Sequence, residues 1–338
     1  MKKSNRLSIP MLAIPFLTAL PSGAAFACAS CGCSLNSDFS VQGLATMGGW
    51  SADLRYDYLN QNQLRSGTRT ISAASAANVT NTQTNAPAEV EQYTRNNYLN
   101  ATLDYNNAKS WGASVVLPYI DRSHSTLGTG SDGSTFDPAN GAYGSSASGL
   151  GDVRVVGRYF GFSEQKNFGI QFGVKLPTGK KDQVSNSGNP TPVDPGLQLG
   201  TGTTDLILGV YRFDNLSANW DYFMQASLQG VVKKSMMAAG SYKPGNSMNL
   251  NFGVRYQGFE RFIPTLQINA RYAKTDSGDA ADTYATGGTL VYLTPGVIVP
   301  IGEKFSAYAN VQLPVYQNVN GIQLAPKFIG SVGMRIAF

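Results

Sequence analysis

Residues 330–338, GSVGMRIAF, lie at the end of the chain and decide the class of fold. Every second residue from Val332 to Phe338 is apolar, whereas Ser331 and Arg335 occupy the opposite parity. Successive side chains of a β-strand point to opposite faces of a sheet, so a period of two indicates a strand with one apolar face. The sequence therefore ends in a predicted strand whose two faces lie in different surroundings.

The same alternation recurs along the rest of the chain. In the first predicted strand Leu54 and Tyr56 share a parity with Trp50, whereas Asp53 and Arg55 share the other. Similar segments follow and predict about twelve strands, and an even number is typical of bacterial transmembrane barrels. We therefore predict an all-β fold, a single antiparallel transmembrane β-barrel of about twelve strands.

The links between the predicted strands alternate between short and long. Outer-membrane barrels have short periplasmic turns and long extracellular loops, so this alternation predicts that both termini lie in the periplasm. Aromatic residues flank the short links and predict a girdle at that membrane interface: Tyr105 with Trp111, Phe160 with Phe168, Phe213 with Trp220, and Phe259 with Phe262. The short links fall near 106–109, 161–166, 214–218, 258–262 and 300–304, and the long links near 60–92, 121–148, 177–203, 232–246, 274–286 and 316–326.

The composition agrees with a lipid-facing barrel in the outer membrane of a Gram-negative bacterium. The chain has 17 Tyr, 16 Phe and 37 Gly, and only 14% of its residues are charged. Beyond residue 27 no apolar run approaches the ~20 residues that a membrane helix needs. The net charge of +5 is spread along the chain and forms no basic tract, so we expect no binding of nucleic acid.

The first residues are predicted to be a signal peptide. Lys2 and Lys3 precede an apolar run over 11–20, and small residues flank Phe26 just before Cys28. The expected organisation is therefore a signal peptide at 1–27, a periplasmic cysteine-bearing segment at 28–44 and a barrel at 45–338. A lipoprotein with a lipidated Cys28 is the alternative, but Phe26 occupies a position that usually holds a small aliphatic residue.

Three cysteines, Cys28, Cys31 and Cys33, form a C-x-x-C-x-C motif in this segment. One interpretation is a Cys28–Cys31 disulfide, or thiol exchange with a periplasmic redox protein, because the periplasm is oxidising. The other is a thiolate site for Cu(I) or Zn, or contact with a metal-handling protein, although Zn would need a fourth ligand. Disulfide formation or thiol exchange is the favoured interpretation, a metal site is the second, and a motif without a role is the third.

Charged residues of both signs occupy the inward parity of the predicted strands, so we expect a mixed lumen with a mild preference for anions. Asp152 and Asp205 each begin a strand at this parity, where a carboxylate needs water, a solute or a cation such as Arg154 or Arg158. The residues predicted to line the lumen are Asp53, Arg55, Asp152, Arg154, Arg158, Lys175, Asp205, Arg255, Arg271 and Arg335.

Two parts of the chain, the region 149–209 and the final strand, resemble known proteins. The segments 149–152 (GLGD), 175–179 (KLPTG) and 204–209 (TDLILG) resemble a family of proteobacterial outer-membrane proteins described as transporter-like or as components of the meta-pathway of phenol degradation. That resemblance implies a channel for small, aromatic or hydrophobic molecules. The final strand resembles the terminal strand of bacterial outer-membrane barrels, which implies that Phe338 is the signal recognised by the barrel assembly machinery.

The favoured function is therefore the passage of small solutes across the outer membrane. The alternative is a structural barrel whose cysteine segment engages a periplasmic metal or redox partner. We expect no enzyme, because His124 has no acidic partner pattern near it and is interpreted as a solvated loop residue. The low-complexity first loop, residues 70–88, either stays outside or folds inward as a constriction.

Overall fold

Most strands of the protein belong to one antiparallel β-sheet that closes on itself, because its last strand pairs with its first, and two further sheets have two short strands each. The computed structural model describes residues 48–127, 142–186 and 192–338. A closed sheet leaves no unpaired edge facing lipid. The strands are β1 (Gly49–Gly67), β2 (Arg69–Thr70), β3 (Thr80–Asn81), β4 (Ala86–Pro87), β5 (Val90–Asn106), β6 (Trp111–Leu127), β7 (Ala142–Leu150), β8 (Arg154–Tyr159), β9 (Phe168–Lys175), β10 (Thr204–Asn215), β11 (Trp220–Lys233), β12 (Ser235–Met237), β13 (Gly240–Tyr242), β14 (Ser247–Tyr256), β15 (Ile263–Ala273), β16 (Gly288–Ile301) and β17 (Phe305–Ala337), with α1 (Ala73–Ala77) and a 3-10 turn at Pro195–Leu197.

The barrel wall is a circuit of neighbouring strands joined by hydrogen bonds. Its order is β1, β5, β6, β8, β9, β10, β11, β14, β15, β16 and β17, which returns to β1. The lower part of β6 pairs with β8, and its upper part pairs with β7. The predicted all-β antiparallel barrel is therefore confirmed.

The last element, β17, pairs with two different strands along its length. Its first arm pairs with β16 and its second arm pairs with β1. The chain folds back near Gly321, which has a φ of 57°, so that the Ala337 N–H donates to the Lys304 carbonyl at 2.8 Å. Counted as continuous elements the circuit has eleven strands, and the count of about twelve, which separates the two arms, stays a prediction.

Side chains alternate between lipid and lumen as the sequence analysis predicts. On β10, Leu206 and Leu208 are 45% and 57% exposed on the outer surface, whereas the intervening Ile207 lines the interior. Within the described ranges no helix is long and apolar enough to cross a membrane. The apolar face of the wall strands is the outer one, as expected for contact with lipid.

An aromatic girdle lies on the outer surface beside the short turns. Tyr105 stacks obliquely between Trp50 and Trp111, with ring centroids 5.0 and 5.4 Å away. The sequence analysis also places Phe160 and Phe213 in this girdle, and that placement is wrong. Both rings pack inside with Tyr211, because their positions fall on the inward parity of β8 and β10.

The strands on one side of the barrel are longer than the sequence analysis predicts. The short turns lie close to their predicted positions, but β1, β5, β6 and β7 extend into the segments 60–92 and 121–148 that were expected to be loops. Above the membrane the outer face of a strand no longer contacts lipid, so the sequence need not keep a strict period of two there. The extension places His124 in β6 rather than in a loop.

The first loop folds over the extracellular end of this taller side. Ala76 of α1 and Ala88 are buried against Val90, Leu127 and Leu324. The Gln83 side chain donates to the carbonyl oxygen of Ala281 in the loop between β15 and β16, at 2.9 Å. Loops from distant parts of the chain therefore form one cap over the barrel.

Candidate functional site: the barrel lumen

A cavity of about 330 Å³ occupies the interior of the barrel. It extends from Ser51 and Asp53 near the periplasmic end to Tyr242 and Lys274 among the extracellular loops. Eight of the ten predicted lumen residues line it: Asp53, Arg55, Asp152, Arg154, Lys175, Asp205, Arg271 and Arg335. The structure therefore brings these eight charges together around one space.

The other two predicted residues, Arg158 and Arg255, are buried in the wall. Arg158 donates to both carboxylate oxygens of Asp104, at 2.6 and 3.1 Å. The Nε of Arg255 donates to Asp221 at 2.6 Å, and its guanidinium lies 5.3 Å from the ring centroid of Phe223. Both cations are paired with carboxylates. Unlike the other eight predicted residues, they do not line the cavity.

Lys175 is the cation that holds the two carboxylates singled out by the sequence. Its ammonium lies 3.0 Å from Oδ2 of Asp152 and 3.3 Å from Oδ2 of Asp205. The same ammonium donates to the hydroxyls of Thr201 and Thr203. The sequence analysis expects Arg154 or Arg158 in this role, but the register of β9 against β10 places Lys175 directly beside Asp205.

The segments that carry the family resemblance meet in space at Asp152. Its Oδ1 accepts from the Gly179 N–H at 3.0 Å, and its Oδ2 accepts from the Thr201 N–H at 2.9 Å. A Cβ atom on Gly200 would lie 2.6 Å from the Cα of Gly179, so glycine allows this close approach. Asp152 therefore fastens the loop between β9 and β10 to the wall.

A ladder of polar side chains, most of them amides, runs along the inner wall of the barrel from β9 to β16. Gln225 donates to Gln171 at 2.7 Å and Asn251 donates to Gln225 at 3.0 Å. Asn269 continues the ladder to Asn251 at 2.9 Å, and the Thr294 hydroxyl donates to Asn269 at 2.6 Å. Because every link is satisfied, this part of the wall is expected to be rigid.

The loop between β9 and β10 enters the lumen from above. Leu199 is buried beside Ile120, and Arg122 donates to the carbonyls of Gly196 and Gln198 at 2.6 and 3.0 Å. The sequence analysis considers only the first loop as an inward constriction and misses this one. Arg122 lies two residues after Ile120 on the inward parity of β6. Extending the predicted strand past residue 120 would have identified Arg122 as an inward residue.

His124 is buried on the inward face of β6, so its interpretation as a solvated loop residue is wrong. Only 4% of it is exposed, and its Nδ1 lies 2.8 Å from the hydroxyl of Thr94 on the neighbouring strand. Its Nε2 is buried without a hydrogen-bond partner. Arg122 lies two residues away, and no carboxylate contacts the ring among the described residues. The histidine therefore shows no acid–base constellation.

Carboxylates of the extracellular loops are shielded from water. Desolvation raises the pKa of Asp194 well above its usual value, against a hydrogen bond from the Gly196 N–H that lowers it. Desolvation also raises the pKa of Asp282, whose Oδ1 accepts from the Ala285 N–H at 2.7 Å. The nearby charge of Asp276 raises both values further. Burial in these loops therefore favours the protonated form of both acids.

The predicted functions of the two chain ends remain predictions. Cys28, Cys31 and Cys33, with the signal peptide and the 28–44 segment, lie outside the described residues. In residues 48–127, 142–186 and 192–338, no group of three or more His, Cys, Asp and Glu side chains is arranged to hold a metal ion. Phe338 faces outward, and its backbone exchanges hydrogen bonds with Trp50 at 2.9 and 3.2 Å. This contact closes the barrel and does not test the assembly signal.

Solved structures that are similar to this chain include an outer membrane channel. The COG4313 outer membrane channel from Pseudomonas putida F1 matches with a TM-score of 0.62 and 12% identity, covering 90% of this chain and 100% of that chain. The β domain of the Bordetella autotransporter BrkA matches with a TM-score of 0.48, 15% identity and coverages of 86% and 100%. The toluene transporter TbuX of Ralstonia pickettii gives a TM-score of 0.42, 12% identity and coverages of 86% and 90%.

Neither the protein-family models nor the curated protein sequences match this chain. The similarity to the Pseudomonas putida channel therefore concerns the fold. The closed barrel, its apolar outer band and its aromatic girdle are the features of a bacterial outer-membrane barrel. The predicted location in the outer membrane of a Gram-negative bacterium agrees with this architecture, as does contact with its lipid.

Proposed function

We propose that this protein is an outer-membrane channel for small molecules with an aromatic or hydrophobic body. The observation that carries the proposal is the cavity inside a closed barrel, which is lined by charged groups and by apolar side chains such as Val116, Ile207 and Val231. A lumen of this kind suits solutes that are small and amphipathic. The fold shared with the Pseudomonas putida outer membrane channel and the resemblance to the phenol-degradation family support it.

The proposal does not include an enzymatic step or a resident metal. The alternative, a structural barrel whose Cys28, Cys31 and Cys33 engage a periplasmic redox or metal-handling protein, has no specific observation in its favour. Recognition of Phe338 by the barrel assembly machinery belongs to the proposal as the route by which the channel reaches the membrane.

Single-channel recording in a planar bilayer tests the channel. We expect the refolded barrel to pass ionic current, and benzyl alcohol in the bath to cause brief blockades because it enters the same lumen. Glucose at the same concentration is the control, since it lacks an apolar body. A correctly folded barrel that passes no current would contradict the proposal, and equal effects of the two solutes would contradict the preference for an aromatic body.

A further inference from the structure

The acidic groups of the cavity are all occupied by the protein. Asp152 and Asp205 share Lys175, Asp104 is bound by Arg158, and the remaining cavity carboxylates also accept hydrogen bonds. Tyr308 donates to both oxygens of Asp53, and Tyr242 and the Gly245 N–H donate to Asp276. The negative charges of the cavity therefore have protein donors around them.

The basic groups are not occupied in the same way. Among the residues that the structure describes, none forms a hydrogen bond or ion pair with the side chain of Arg154, whose backbone is part of the β8 ladder. Arg271 donates from Nη1 to Asn249 at 3.2 Å, and its Nε is buried with no acceptor. Seven of the residues that line the cavity carry a positive charge and five carry a negative charge. The excess is positive, and two guanidinium groups keep unused donors.

Arg154 and Arg271 lie on opposite sides of the same cavity. Arg154 is in β8 and Arg271 is in β15, and around the circuit four strands separate β8 from β15 on the shorter path and five on the longer path. Removing a guanidinium from bulk water is costly unless a partner or an ordered solvent replaces the lost hydrogen bonds. An anion in the cavity would supply acceptors to both groups.

Apolar side chains stand next to these donors. Val116 is the cross-strand partner of Arg154, and Val156, Ile207 and Val231 line the same cavity. A ligand that suits this wall has an anionic end and an apolar body. A carboxylate matches the planar fork of a guanidinium through two parallel hydrogen bonds.

We propose that the lumen holds a binding site for small organic carboxylates, in which Arg154 and Arg271 bind the carboxylate and the apolar strip contacts the body. The inference rests on the proposed channel function and names the class of solute that the channel selects. A ring of the size of benzoate fits a cavity of about 330 Å³.

Equilibrium dialysis of the folded barrel in detergent tests the site without relying on current. The probes are benzoate and its neutral isostere benzamide. We expect benzoate to bind more tightly than benzamide, and Arg154→Gln and Arg271→Gln each to weaken benzoate by about tenfold while changing benzamide little. Arg212→Gln is the matched control, because Arg212 has the same charge but is exposed outside the lumen.

Ion selectivity in bilayers supplies the second readout. The wild-type channel should prefer chloride over potassium, and the Arg154→Gln, Arg271→Gln double variant should lose that preference while the conductance remains. Arg154→Lys keeps the charge and loses the planar fork, so it should retain selectivity and lose part of the benzoate affinity. This variant also serves if a neutral substitution does not fold.

The two proposals fail in different ways. A barrel that binds benzoate but passes no current would contradict the channel and leave the carboxylate site standing. A barrel that conducts but treats benzoate and benzamide alike would overturn the site and leave the channel standing. Unchanged benzoate binding in the folded double variant would also overturn the site.

Discussion

Arg158 and Asp104 form a bidentate ion pair inside the barrel, with N–O distances of 2.6 and 3.1 Å. The pair joins β8 to β5 across the intervening β6, and 2% of the Arg158 side chain is exposed. Its charge is therefore neutralised within the wall, whereas Arg154, four residues earlier on the same face of β8, lines the cavity. The structure assigns different roles to two arginines of one strand.

Breaking this pair should destabilise the barrel. Replacing one partner leaves the other charge buried and unpaired, so we expect Asp104→Asn or Arg158→Gln to lower the free energy of unfolding by about 3–5 kcal/mol. The double variant should recover much of that loss, because no uncompensated charge remains. Urea unfolding in lipid vesicles measures the effect. A double variant as unstable as the sum of the single variants would contradict a specific pair.

Asp152 should anchor the loop between β9 and β10. Asp152→Asn removes the carboxylate that accepts from Lys175, Gly179 and Thr201, so we expect protease cleavage within 176–203 to accelerate while the barrel stays folded. Asp182→Asn, an exposed change in the same loop, is the control. Equal cleavage rates for both variants would show that Asp152 does not hold the loop.

The outer surface should reject charge. Leu208→Arg places a cation on the lipid-facing side of β10, and we expect a loss of about 2–4 kcal/mol in unfolding free energy if the site is near the membrane midplane. Leu216→Arg is the control, because Leu216 is exposed in the short turn after β10. A loss of the same size at both positions would contradict the assignment of the lipid-facing band.

The extracellular cap should be tighter in acid. Desolvation raises the pKa of Asp282 in the closed cap, so the closed form is favoured below the ordinary carboxyl pKa and loses this advantage as the pH rises through the raised value. Hydrogen exchange of residues 274–287, corrected for intrinsic rates, should show more protection at about pH 4 than at about pH 7. Asp282→Asn should reduce this difference, and the same pH dependence in the variant would contradict it.

The fold was predictable because lipid imposes a pattern on each strand. Segments such as 206–210 alternate strongly enough to mark both the strand and its outward face, and the short turns follow from the same pattern. Above the membrane that constraint is absent, so the extension of β6 that contains His124 was missed. The alternation of β8 and β10 already placed Phe160 and Phe213 on the inward face. For these two residues the alternation predicts the side-chain direction better than their closeness to a short turn does.

The contacts of the candidate site were less accessible to sequence reasoning. The parity of each strand placed eight charges in the lumen, but pairing depends on the register between strands. The registers set Lys175 beside Asp205 and leave Arg154 facing the cavity, and no single segment contains that information. The inward course of residues 195–199 depends on contacts with Ile120 and Arg122, which lie far away in the sequence.

The most direct test of a conducting lumen compares two adjacent positions of β5 in a background without Cys28, Cys31 and Cys33. Thr102 lines the cavity, whereas Leu103 is exposed on the lipid side. We predict that an anionic thiosulfonate reagent reduces the single-channel current of Thr102→Cys and leaves that of Leu103→Cys unchanged. An unchanged current after complete modification of Thr102→Cys, or no current from the folded protein, would contradict the account.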